Sequence, residues 1–190
     1  PDALNFASAQ VPLFSRDPSL CNPAAWVSRD DLKIGNRLAE TQVLTAERLA
    51  TIAALLGARF PDEALDKAWR QLLFVQHHDA IAGTSADAPD LDLLAGLREA
   101  ADLASDVTIR ALDFIGQSVD TTLPAGIEGA VPVLVFSPLG WDRQEVASLE
   151  LAPPPSGAQW AIFDSTGKPT PCEAQATPDG RAHVAFLAKV

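Results

Sequence analysis

Two of the three histidines in the chain, His77 and His78, stand side by side and are followed at once by a carboxylate, Asp79. Imidazole nitrogens and carboxylate oxygens are donors that zinc and similar divalent ions accept, so metal binding is the first chemistry this triplet offers. A carboxylate in that place also accepts hydrogen bonds from a polyol. On a continuous helix, neighbouring side chains diverge by about 100°, so His77 and His78 are not expected to ligate one ion together as an i, i+4 pair would. At most one is then a ligand, and the others must come from elsewhere. The plain alternative is a polar helix end whose His-His-Asp caps the backbone and faces water.

The elements that must carry this triplet are helical. Ser28-Arg29-Asp30-Asp31 resembles an N-cap followed by first-turn acids, and Leu38, Leu49, Ile52 and Leu56 recur at steps suited to one helix face, with Gly57 placed as a C-cap. Phe60-Pro61-Asp62-Glu63 restarts a helix whose stripe is Leu65, Ala68, Leu72 and Val75. Pro89 opens a third, with Leu93, Leu97, Ala100, Ala104, Val107, Ala111 and Phe114 in unbroken steps of four and three. Three helices with short connections predict an antiparallel three-helix bundle over residues 28–120. If the second helix continues through the triplet, His78 projects with Phe74 and Gln71, off the bundle stripe and toward a partner that covers Phe74. Asp90, Asp92, Glu99 and Asp102 read as the solvated face of the third helix.

Residues 1–27, punctuated by Pro1, Pro12, Pro18 and Pro23, read as an irregular leading segment. Residues 121–130 form a linker by composition, and residues 131–190 read as the start of a β-rich domain, giving an α+β fold class. Strands are expected at Val131–Phe136, Glu145–Leu151, Gln159–Phe163 and Arg181–Leu187, with a turn at Asp164–Gly167. The last of them runs to Val190 without a stop signal, so the all-β part is expected to be truncated. Trp141 and Trp160 are assigned to strand core, and His183 to the polar face of its strand.

With 47% apolar and 21% charged residues, the 190-residue chain can build a core. A formal charge of −11 excludes a nucleic-acid surface, which needs clustered Lys and Arg. No apolar run would span a bilayer, so no membrane partner is expected. The chain has no methionine and opens on Pro1, as expected if it begins inside a longer protein. Cys21 and Cys172 are too few for a disulfide framework and read as unpaired thiols. Walker loops, G-x-G-x-x-G, G-x-S-x-G and H-E-x-x-H are absent.

The run Gln76-His77-His78-Asp79-Ala80-Ile81-Ala82-Gly83-Thr84 is similar to the signature of Golgi and lysosomal types of glycoside hydrolase family 38 α-mannosidase. Collinear with it, Ser28-Arg29, Lys33, Asn36-Arg37, Glu40 and Ala46-Glu47 resemble that family's first middle-domain helix. Trp69, Leu72 and Leu73 resemble the helix leading into the signature, and Val135–Trp141 with Arg143 the opening strand of the C-terminal β domain. The resemblance implies a zinc-dependent retaining α-mannosidase acting on mannose-containing oligosaccharides or glycans. It implies that His78 binds the zinc, that Asp79 contacts substrate hydroxyls and that His77 has a supporting or structural role. Zinc there would engage mannose hydroxyls and help to distort the ring. The other zinc ligands, the nucleophile and the acid/base belong in this family to an α/β catalytic domain that is missing here. No catalytic residue is therefore expected in this chain, and alone it is expected to be inactive. Ala82 stands where the family usually has Ser or Thr, which puts a local hydrogen bond in doubt.

Two other readings compete. His78-Asp79 is an H-D dyad of the kind found in metal phosphohydrolases, but no histidine precedes His77 to complete such a cage. A non-enzymatic helical scaffold or carbohydrate-binding module would carry the triplet as ornament, and would leave no exposed apolar face around Phe74.

Overall fold

The computed structural model describes residues 15, 24–127, 129–153, 159–178 and 180–190. The leading segment before Ala24, apart from Ser15, lies outside the described residues, as does Cys21. Ala24–Val27 form one helical turn, α1, where irregular chain was expected.

Three longer helices follow. They are α2 (Asp30–Leu55), α3 (Asp62–Val75) and α5 (Asp87–Gln117), with a short α4 (His78–Ile81) between the last two. α2 and α5 run in the same direction. Gly35 meets Leu97 near their N-terminal ends, and Leu49 and Ala53 meet Ala111 and Ile115 near their C-terminal ends. α3 descends between them, and its own stripe of Leu65, Ala68, Leu72 and Val75 is buried as its period predicts. The result is the antiparallel three-helix arrangement.

The α2 seam differs from the expected stripe. Leu38 is 61% exposed, and Ile52 and Leu56 are also on the outside. The buried positions are Leu32, Ala39, Val43, Ala46, Leu49, Ala50 and Ala53. Bulk misled the reading: alanines let α2 and α5 approach closely, while the larger side chains stand beside the contact. Ser28 is not the cap either. Arg29 occupies that position with left-handed φ 53° and no side-chain cap bond.

The other end of α2 closes as expected. Gly57 has φ +108°, its N–H donates to Ala54 O at 3.0 Å, and Ala58 N–H donates to Ala53 O at 3.0 Å. This six-to-one and five-to-two pairing satisfies carbonyls the helix would leave bare. A Cβ at Gly57 meets no neighbour, so Gly57→Ala isolates the backbone term. It is expected to cost about 1–2 kcal/mol, read as a lower urea midpoint at unchanged slope.

Between α3 and α5, Lys67 and Gln71 both bond the Glu99 carboxylate and hold its pKa below the ordinary value, the Lys67 contact contributing most. Glu99 is thus an inter-helix tie and not merely a solvated acid.

Beyond the bundle, Val131–Phe136 is not a strand. Phe136 lies on the cluster of Leu49, Ala53, Ala111 and Ile115, and Leu134 reaches Gly116, so this run is bound to the bundle's C-terminal end by side chains. The strands are β1 (Gln144–Leu151), β2 (Ile162–Phe163), β3 (Pro169–Thr170), β4 (Cys172–Ala176) and β5 (Ala182–Lys189). β5 is central, antiparallel to β1 from Gln144↔Lys189 to Leu151↔Ala182 and to β4 from Cys172↔Phe186 to Ala176↔Ala182. β2 and β3 pair across the turn whose Asp164 carboxylate accepts from Thr166 and Lys168. Ala182, Val184, Phe186 and Ala188 are buried, and His183 alternates outward as expected. Trp141 is exposed, not core. Cys172 is a free thiol.

Candidate metal centre

The helix that leads into the triplet stops short of it. Val75 is the last residue of α3, and Gln76 caps it with N–H donated to Leu72 O at 3.2 Å. His77 then turns to an extended backbone, φ −56° and ψ 137°. Its carbonyl accepts from Ala80 N–H at 3.0 Å and Ile81 N–H at 2.9 Å, which starts α4 in a new direction. Two anchors hold the new direction: Ala80 is buried in the bundle core with Ile81 packed beside it, and Ser28 Oγ donates to Ala82 O at 2.9 Å. Gly83, φ +71°, carries the chain out, and Thr84 Oγ1 donates to Asp79 O at 3.0 Å.

This break corrects the helical projection drawn from sequence. Gln71 turns to Glu99 on α5, so it does not share a face with His78. The claim that neighbouring histidines diverge too far to share an ion rested on a continuous helix. Here the two rings lie with centroids 4.4 Å apart and planes tilted by 36°. His78 Nε2 is 3.4 Å from Asp79 Oδ2. One donor atom from each of His77, His78 and Asp79 falls within 4.8 Å of the others.

The His78 side chain is 83% exposed, and His77 and Asp79 are exposed too. Two imidazoles and a carboxylate match the donor chemistry of zinc. An exposed trio on one short turn makes one wall of a cage, and further donors must face it from outside the bundle. Phe74, one turn before the break, is 71% exposed, an apolar surface beside a polar triplet.

Sequence reasoning missed a second constellation near this segment. Asp90 was assigned to the solvated face of the third helix, yet it is 1% exposed. Its Oδ2 lies 2.9 Å from Arg29 Nε, with Asp31 and Asp87 each 3.7 Å from the same guanidinium. The signal was present: Asp90 stands three residues before Leu93, in step with the α5 seam, so its position is a core position.

A family model described as the alpha mannosidase middle domain matches residues 24–115. The helical bundle is an α-mannosidase middle domain. The match takes in the whole bundle but for the last two residues of α5, with the His-His-Asp triplet inside it. Mouse alpha-mannosidase 2C1 is 30% identical over 135 residues, covering 70% of this chain and 12% of that protein. Alpha-mannosidase G of Dictyostelium discoideum is 35% identical over 69 residues, 36% of this chain and 6% of its own length. Among solved structures, an α-mannosidase from Enterococcus faecalis V583 superimposes with TM-score 0.62 at 22% identity, over 87% of this chain and 22% of that one. A family 38 glycosyl hydrolase from the same species gives 0.62 at 22% identity, over 86% and 23%. These superpositions show a shared fold. The α-mannosidase middle domain described here, with the strands after it, thus spans about an eighth of the mouse relative's length and under a quarter of the bacterial one's.

Proposed function

We propose that this chain is part of a zinc-dependent retaining α-mannosidase, to which it supplies one metal ligand and a substrate contact. His78 offers a ring nitrogen to the ion. Asp79 accepts hydrogen bonds from hydroxyls of the mannose unit in a glycan. His77, its ring tilted against that of His78 at 4.4 Å, has a supporting role. The exposed His77–His78–Asp79 cluster inside a family-matched middle domain is the observation that carries this reading. When bound, zinc would engage sugar hydroxyls and favour ring distortion; the carboxylate nucleophile and acid/base come from the α/β catalytic domain. Exposed Phe74 faces that domain in the intact enzyme, and its exposure speaks against a self-contained scaffold.

Full-length enzyme treated with a chelator is expected to lose hydrolysis of an aryl α-mannoside and to regain it on adding zinc. The isolated 190-residue chain is expected to show no such activity and to bind zinc weakly, because His78 alone supplies one of the roughly three protein ligands such a site needs. Full activity after complete metal removal would end the zinc reading, and tight stoichiometric zinc binding by the isolated chain would end the shared-cage reading.

A further inference from the structure

We propose that Arg29 and Asp90 are positioning residues for the His77–His78–Asp79 segment, locking its C-terminal anchor without touching what the segment binds. The proposal rests on the metal-site reading above for its purpose, and on the following geometry for its mechanism.

The three site side chains are exposed, so their own contacts do not fix them. What fixes them is the far end of α4. There the chain at Gly83 passes so close to Arg29 that a Cβ on Gly83 would lie 2.5 Å from Arg29 Cγ and 2.8 Å from Arg29 Cβ. The stem of Arg29 is thus a wall against which the segment's exit is set, next to the Ser28–Ala82 hydrogen bond. That wall is held in place against a backbone cost. The Arg29 backbone is in the left-handed region, φ 53°, a conformation disfavoured for a side chain of this size. Its guanidinium is ion-paired with the carboxylate of Asp90 in the α5 seam, Nε 2.9 Å from Oδ2, and among the described residues neither Arg29 Nε nor Asp90 Oδ1 has a hydrogen-bond partner.

For stability alone this is a poor arrangement. A buried, half-satisfied carboxylate is costly, and an apolar residue at 90 would extend the Leu93–Leu97 seam. The pair makes sense as a device that aims Arg29 at Gly83. Loss of the pair should free the Arg29 stem, which is partly exposed and able to swing into water, and should loosen α4 while the bundle stays intact.

Asp90→Leu and Asp90→Asn in the full-length, zinc-free enzyme test this, with Val43→Ala, a cavity in the α2 seam, as the control for general destabilisation. Arg29→Gly removes the side chain while easing its backbone conformation, and serves if the Asp90 variants fold poorly. Hydrogen exchange at the amides of Ala80 to Gly83 is expected to quicken at least about 10-fold in the Asp90 and Arg29 variants and to stay unchanged in Val43→Ala. Zinc affinity is expected to weaken about 10–100-fold in the same variants, the range typical of lost supporting contacts around a metal ligand. Asp90→Leu is expected to leave the melting temperature no lower than that of Val43→Ala. Unchanged exchange at Ala80–Gly83 in all three variants overturns the proposal, as does faster exchange with unaltered zinc affinity. If His78→Ala binds zinc as tightly as the parent, the metal reading fails separately, and the exchange measurement alone decides the positioning claim.

Discussion

His78→Ala in the full-length enzyme is expected to lose bound zinc and to lower kcat/KM on an aryl α-mannoside by at least about 100-fold, more than loss of a mere supporting group costs. The effect should fall on chemistry, not on folding. The side chain is 83% exposed, and substitutions at such positions usually change stability by less than about 0.5 kcal/mol. His77→Ala is the informative partner variant. Its ring lies 4.4 Å from that of His78, so the geometry lets either imidazole serve, and the family resemblance assigns the role to His78. With His77 as support, His77→Ala should retain zinc and lose roughly 10-fold in activity. Metal analysis of the purified variants checks this directly. Zinc lost in His77→Ala and kept in His78→Ala would exchange the two roles; zinc kept at full occupancy in both would remove the site from this segment.

Leu72→Ala is expected to destabilise the isolated chain by about 3 kcal/mol, within the roughly 2–5 kcal/mol seen for buried leucines. Leu72 is 0% exposed in the last turn of α3, where the shortest of the three bundle helices meets α5 and α2. Truncation leaves a cavity that three crossing helices cannot easily close. Leu73, its neighbour in sequence, points out of the bundle. Leu73→Ala should therefore change the isolated chain's stability by no more than about 0.5 kcal/mol. Urea unfolding followed by far-ultraviolet circular dichroism separates the two. Equal midpoints for both variants would mean that α3 does not seat its Leu65–Val75 stripe in the bundle.

The same contrast runs through what could be read without coordinates. α3 and α5 were legible because leucines and valines mark an unbroken period along each, into which the alanines fall, and the local signal at Pro61 agrees with it. α2 was legible as a helix but not as a surface. Its seam is largely alanine, and alanine carries no signal of its own until a second helix is laid against it. Val131–Phe136 has β-branched residues enough for a strand, yet a strand needs a partner with free backbone groups. None pairs with it among the described residues, and its side chains found the bundle instead.

The triplet shows the division most plainly. Residue types alone determined that His77, His78 and Asp79 could hold a divalent ion. Period alone determined which faces of α3 and α5 are inward. Tertiary structure decided how the two histidines relate, because the break at His77 is held by contacts to Ser28 and the core, far away in sequence. It also decided the burial of Asp90, whose place in the α5 period is a core position but whose charge by itself favours water. Burying a carboxylate is costly without a partner, and Arg29 supplies one from the start of another helix. Periodicity is a property of one segment, whereas ion pairs, close approaches and helix breaks are agreements between segments.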